Sequence, residues 1–143
     1  MLVPGSYVSL ETAQSYYELI PDVVFATTAI TAGRAGVRKN PLGVFVYQHV
    51  KPDLLWGYVP RELMHGRTAL VATPEKSLLD MAYLVTSSDN PAYVKELRLQ
   101  NLDVIDRDVL LESAERFRVP RVMRFAKIIL ELARKEREEY VLL

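Results

Sequence analysis

The chain has 143 residues, and its 18 Lys and Arg balance 18 Asp and Glu, so its formal net charge is zero. Half of it is hydrophobic and a quarter charged, the balance of a globular protein, and the length fits one domain, residues 1–143, that can bury a real core. Having no cysteine, it cannot form disulfides or thiolate metal sites; with no secretory signal and no apolar run of the ~18–20 residues that span a bilayer, it is expected to be cytoplasmic, without membrane contact.

In chain order, Ser9 is a candidate N-cap and Glu11 suits the first turn of a helix. Leu10, Ala13, Tyr16, Tyr17 and Ile20 then follow a helical spacing, which Pro21 ends. Val23 to Thr31 is rich in β-branched residues and reads as a strand. Gly33, Arg34 and Gly36 form a flexible connection, and Asn40-Pro41-Leu42-Gly43 is a turn. Gly43 to Lys51 is a second strand, with Val44, Val46, Gln48 and Val50 on one face and Phe45, Tyr47, His49 and Lys51 on the other. These two strands are expected to pair as a hairpin. Leu54 to Val59 and Thr68 to Val71 read as further short strands.

From Thr73 the character changes. Thr73 caps a helix, Pro74 takes the first helical position and Glu75 faces the positive end of the dipole. The helix runs on through Leu78, Leu79, Met81, Ala82, Leu84 and Val85; apolar on most sides, it is predicted to be central and buried. Ser87 to Pro91 breaks it, and helices follow over Pro91–Leu99 and Asp106–Phe117. Pro120 opens the last helix, with Val122, Phe125, Ala126, Ile129, Leu132 and Ala133 on its apolar face and Arg121, Arg124, Lys127, Glu131 and Lys135 opposite. The fold class is therefore α+β: an N-terminal helix and a small, mostly antiparallel sheet of four to five strands over residues 1–72, then a helical half over residues 73–143.

Two stretches lack acids altogether. Between Asp22 and Asp53 lie Arg34, Arg38, Lys39 and Lys51; between Glu115 and Glu131 lie Arg116, Arg118, Arg121, Arg124 and Lys127. Such basic faces are either solvated surface or contacts for phosphates. The candidate contact residues for nucleic acid or an acidic partner are Arg34, Arg38, Lys39 and Lys51, with Arg121, Arg124 and Lys127 second. No catalytic residue, metal ligand or cofactor site is expected. His49 and His65 are too isolated for a zinc site, and phosphate-binding and nucleophile-elbow motifs are lacking. A metal-dependent nuclease built around Glu75 and Lys76 is the enzymatic alternative. It would want the two side chains on one face of a strand, whereas here they are adjacent at a helix start. A stand-alone protein-interaction module is a third reading.

The ordered segments Leu2-Val3-Pro4-Gly5-Ser6-Tyr7, Thr28-Ala29-Ile30-Thr31, Asn40-Pro41-Leu42-Gly43, Tyr47-Gln48-His49-Val50-Lys51-Pro52, Ala72-Thr73-Pro74-Glu75-Lys76 and Arg116-Phe117-Arg118-Val119-Pro120-Arg121-Val122 together resemble the AbiEi-type antitoxins of type IV toxin–antitoxin (abortive-infection) systems. The resemblance implies a non-enzymatic antitoxin domain that counteracts a nucleotidyltransferase-type toxin, with possible DNA binding and a role in transcriptional regulation. The family's N-terminal winged helix has no counterpart here, so autonomous promoter repression is not expected. Gln48 stands where the family usually has Arg, and Arg38-Lys39-Asn40 replaces a Phe-Glu-Thr type of stretch.

Overall fold

A computed structural model describes residues 2–63 and 66–142. The chain is α+β. Strands β1 (Ser6–Val8), β2 (Thr27–Thr31), β3 (Gly36–Asn40), β4 (Gly43–His49), β5 (Tyr58–Glu62) and β6 (Thr68–Ala72) form one six-stranded sheet among the described residues. Helices are α1 (Leu10–Tyr16), α2 (Pro74–Leu84), α3 (Pro91–Glu96), α4 (Arg107–Phe117) and α5 (Pro120–Leu142).

The sheet order is β3-β4-β2-β1-β6-β5. Its centre is the antiparallel pair β1–β2, flanked by the antiparallel hairpins β3–β4 and β5–β6. Each hairpin inserts its second strand against the central pair in parallel, β4 beside β2 and β6 beside β1. The sheet is thus mixed, and the expected hairpin between the strands at 23–31 and 43–51 does not exist. Those strands run parallel, in the register Thr27↔Phe45 to Thr31↔His49. A parallel pair needs a crossover, and residues 36–40, expected as a connection, supply it by forming β3 on the far side of β4.

Helix α1 begins differently from its sequence signature. Ser9 makes no capping bond; its Oγ donates instead to Asp80 Oδ2 at 2.7 Å. The free amide of Thr12 is taken by Thr28 Oγ1 at 3.0 Å, and the Thr28 hydroxyl donates to Ser9 O. A β2 side chain therefore satisfies a helix-start donor that has no partner within the helix. At the other end α1 stops before Pro21, through the left-handed Glu18 at φ 60°. The expected strand 54–59 is also displaced: Pro52–Leu54 is a 3-10 turn, Gly57 takes φ +76°, and pairing starts at Tyr58.

Helix α2 keeps its predicted start. Thr73 Oγ1 accepts the Lys76 amide at 3.2 Å and Pro74 fills the first turn, a bond of the kind worth about 0.5–2 kcal/mol. It is the buried core helix. Leu78 and Leu79 are fully enclosed, together with Phe125, Ile129 and Val122 of α5 and Leu110 and Phe117 of α4. On the sheet's other side a smaller cluster of Ala29, Phe45 and Tyr47 is covered by Leu2 and Val3, and the Val3 amide donates to the Tyr47 hydroxyl at 3.1 Å. No helix among the described residues is long and apolar enough to cross a membrane.

Candidate functional site

The most unusual chemistry of the molecule is buried. Lys76 and Asp80 sit one turn apart on α2 and are 1% and 0% exposed. Lys76 Nζ lies 2.8 Å from Asp80 Oδ1, donates to Leu54 O at 2.8 Å and to the Tyr7 hydroxyl at 2.7 Å. The Tyr7 hydroxyl in turn donates a hydrogen bond to Asp80 Oδ2 at 2.8 Å, where Ser9 also donates. The ammonium is further boxed by the rings of Trp56, Tyr7 and Phe117, with centroids at 4.6, 4.9 and 5.4 Å. Arg116 stacks over the Trp56 ring at 4.1 Å, and Tyr58 stacks on Tyr7 at 4.8 Å. A Cβ on Gly57 would meet Lys76 Cγ at 2.9 Å, so glycine is what lets the chain close over the lysine stem.

Burial dominates the titration of this cluster. It raises the Asp80 pKa, against the pull of Lys76, Ser9 and Tyr7. It lowers that of Lys76, against Asp80, and drives that of Tyr7 far above its ordinary value, with Asp80 adding to the rise. The geometry is that of a closed structural pair with every hydrogen bond internal, not of an open acid–base site. Asp80 Oδ1 has the lysine charge but no aligned hydrogen bond among the described residues, so coulombic attraction compensates that oxygen.

Glu75, the carboxylate of the nuclease alternative, is 5% exposed and accepts the Asp106 amide at 2.9 Å, anchoring the start of α4. Glu75 and Lys76 serve different neighbours and share no cleft. Among the described residues no cluster of three or more His, Asp or Glu could hold a metal. His49 Nδ1 is 2.8 Å from Gly33 O, on the exposed end of β4; His65 lies outside the described residues.

The first set of basic residues is exposed at one edge of the sheet. Arg34 precedes β3, Arg38 and Lys39 lie on it, and Lys51 follows β4. Strand β3 is an edge strand, exposed along its whole length. None of the four forms an ion pair among the described residues. Register divides the neighbours: Arg38 pairs with Phe45 and Lys39 with Val44, so the two side chains leave opposite faces. Arg38 lies over the Tyr47 ring at 5.8 Å.

The second set does not form one solvent face. Arg121 is half-buried and caps α2, donating to Ala82 O at 3.2 Å and to Tyr83 O at 2.6 Å. Arg124 pairs with Asp89 at 2.8 Å. Lys127 remains exposed. The amphipathic reading of α5 placed Arg121 opposite the core because it considered one helix alone; the end of α2 claims it. The buried Lys76–Asp80 pair was equally missed, although a Lys and an Asp four apart on an otherwise apolar helix signal such a pairing. Comparison with known families finds no matching family model, and no curated protein matches the chain.

Proposed function

We propose that this chain is a non-enzymatic, antitoxin-like regulatory domain of the AbiEi type, which acts by binding and counteracts a nucleotidyltransferase-type toxin in the cytoplasm. The carrying observation is the acid-free, exposed edge formed by Arg34, Arg38, Lys39 and Lys51. Its cations form no ion pair among the described residues, so their charges are available to DNA phosphates, with each contact adding salt-dependent affinity. The resemblance of the ordered segments to that family supplies the link to toxin–antitoxin biology. Enclosure of Glu75, Lys76 and Asp80 supports binding over catalysis, because a substrate could reach none of them without opening the core.

Two measurements test the reading. Duplex DNA should bind at low salt, and Arg34→Glu with Arg38→Glu and Lys39→Glu should abolish binding while leaving the melting temperature unchanged, since all three are surface residues. Unchanged affinity in that variant refutes the surface assignment. Co-expression with a nucleotidyltransferase-type toxin encoded beside this chain should restore growth; persistent growth arrest refutes the antitoxin assignment.

A further inference from the structure

A second surface lies on α5, away from β3. A groove of about 380 Å³ runs between α5 and the segment leading into α4. The 3-10 turn Leu102–Val104 is pinned there by Glu136, whose Oε1 accepts the Leu102 amide at 2.9 Å. Ile105, which follows this turn, and Leu130 and Ala133 of α5 supply the aliphatic part of the groove's lining. Its rim is cationic: Arg107 on one side, Lys127, Arg134 and Arg137 on the other. The α5 members recur at steps of seven and three and so share a helix face.

Two of the four lining cations have no ion pair among the described residues. Glu131 is the sole acid of the lining, and Arg134 holds it as well as Glu138. Among the described residues Lys127 and Arg137 form no ion pair, and Arg107 pairs with its exposed neighbour Asp108, at 3.4 Å. Lys127 and Arg137 thus stand unpaired beside a partly apolar slot.

We propose that this groove docks an acidic, amphipathic segment of a partner protein, placing an aliphatic side chain on Ile105, Leu130 and Ala133 and its carboxylates against Arg107, Lys127 and Arg137. This goes beyond the regulatory reading above and uses a surface other than the β3 edge. Nucleic acid fits less well. The groove's lining offers no ring for base stacking. A peptide supplies both the apolar anchor and the discrete carboxylates that the slot matches, as helix-in-groove recognition does.

The test uses a fluorescent peptide of about twelve residues with Leu at helical spacing among Glu, titrated into the full chain and read by anisotropy. Binding that weakens with salt is expected, with a loss of about tenfold or more in Arg107→Glu with Arg137→Glu; both side chains are exposed, so folding is retained. Replacing the peptide's Leu by Ser should also abolish binding. Arg34→Glu with Arg38→Glu should leave it intact, so failure here is separable from failure of the DNA-binding surface. No peptide binding at low salt, binding that survives Leu→Ser, or a DNA probe that binds through Arg107 and Arg137 in the peptide's place would each overturn the proposal.

Discussion

Replacing Asp80 by Asn removes the charge facing Lys76 while keeping an oxygen for the Tyr7 and Ser9 hydroxyls, which donate at 2.8 and 2.7 Å. The lysine ammonium then remains 1% exposed, with a carbonyl, a phenol and three rings around it but no anion. Removing one partner of a buried pair leaves an uncompensated charge and costs about 3–5 kcal/mol. That is a large share of a typical total of about 5–15 kcal/mol. With a urea slope of about 2 kcal/mol per molar, the unfolding midpoint should fall by about 2 M. Lys76→Met should be similarly damaging, because it strands the Asp80 carboxylate. The double variant Lys76→Met with Asp80→Asn should recover much of either loss, since neither charge is then buried, and a double-mutant cycle measures that coupling.

The pH dependence gives a second signature of the same variant. Burial lowers the folded-state pKa of Lys76 below its unfolded value of 10.5, and losing Asp80 lowers it further. Between those two pKa values the unfolded chain binds more protons, so the stability of Asp80→Asn should rise as pH increases through that window. Urea titrations at several pH values would read this as a deficit that narrows toward alkaline pH. A cost below about 1 kcal/mol for Asp80→Asn, or strictly additive single-variant effects, would refute the buried ion pair as an energetic unit.

Two further outcomes follow from neighbouring geometry. Gly57→Ala should destabilise by about 2–4 kcal/mol, combining left-handed backbone cost with overpacking against the Lys76 stem 2.9 Å away; thermal or urea unfolding checks this, and a neutral result would mean that the segment Leu55–Gly57 is not closed over the lysine. Glu75 has its pKa raised from 4.5 by burial, opposed by the Asp106 amide, so the folded state binds the proton more tightly than the unfolded one. Its contribution is fully present below pH 4.5 and is lost as pH rises through the raised folded value. Glu75→Gln, which keeps an acceptor for Asp106, should therefore lie higher in stability relative to the parent at pH 7 than at pH 4.5; a difference independent of pH would contradict the assignment.

Legibility followed the range of the interactions. The start of α2 was readable because Thr73, Pro74 and the Lys76 amide are close in sequence and the cap needs nothing else. The helix over 107–117 was readable for the same reason: Asp106 accepts the Asp108 and Val109 amides itself. By contrast, β1 is three residues long and too short to show a period; it exists because β2 and β6 pair with it on either side. Strand β3 shows no buried face, since every residue is exposed, and only its partner β4 makes it a strand. Mistaking it for a connection turned a parallel crossover into an expected hairpin.

The candidate surfaces divide in the same way. The acid-free runs and the residues Arg34, Arg38, Lys39 and Lys51 are facts of the sequence, and so is the apolar stripe of α5. Which cations remain available is not, because that depends on chain segments distant in sequence. Asp89 engages Arg124, the carbonyls ending α2 engage Arg121, and the turn at 102–105 walls a groove beside Lys127 and Arg137. By itself the sequence determined the helices of the second half, the cap at Thr73 and the charge distribution, which depend on neighbours within about one turn. Tertiary structure alone decided strand order and direction, the burial of Lys76 against Asp80 and the freedom of each surface cation, since burial and pairing are properties of what the rest of the chain brings alongside.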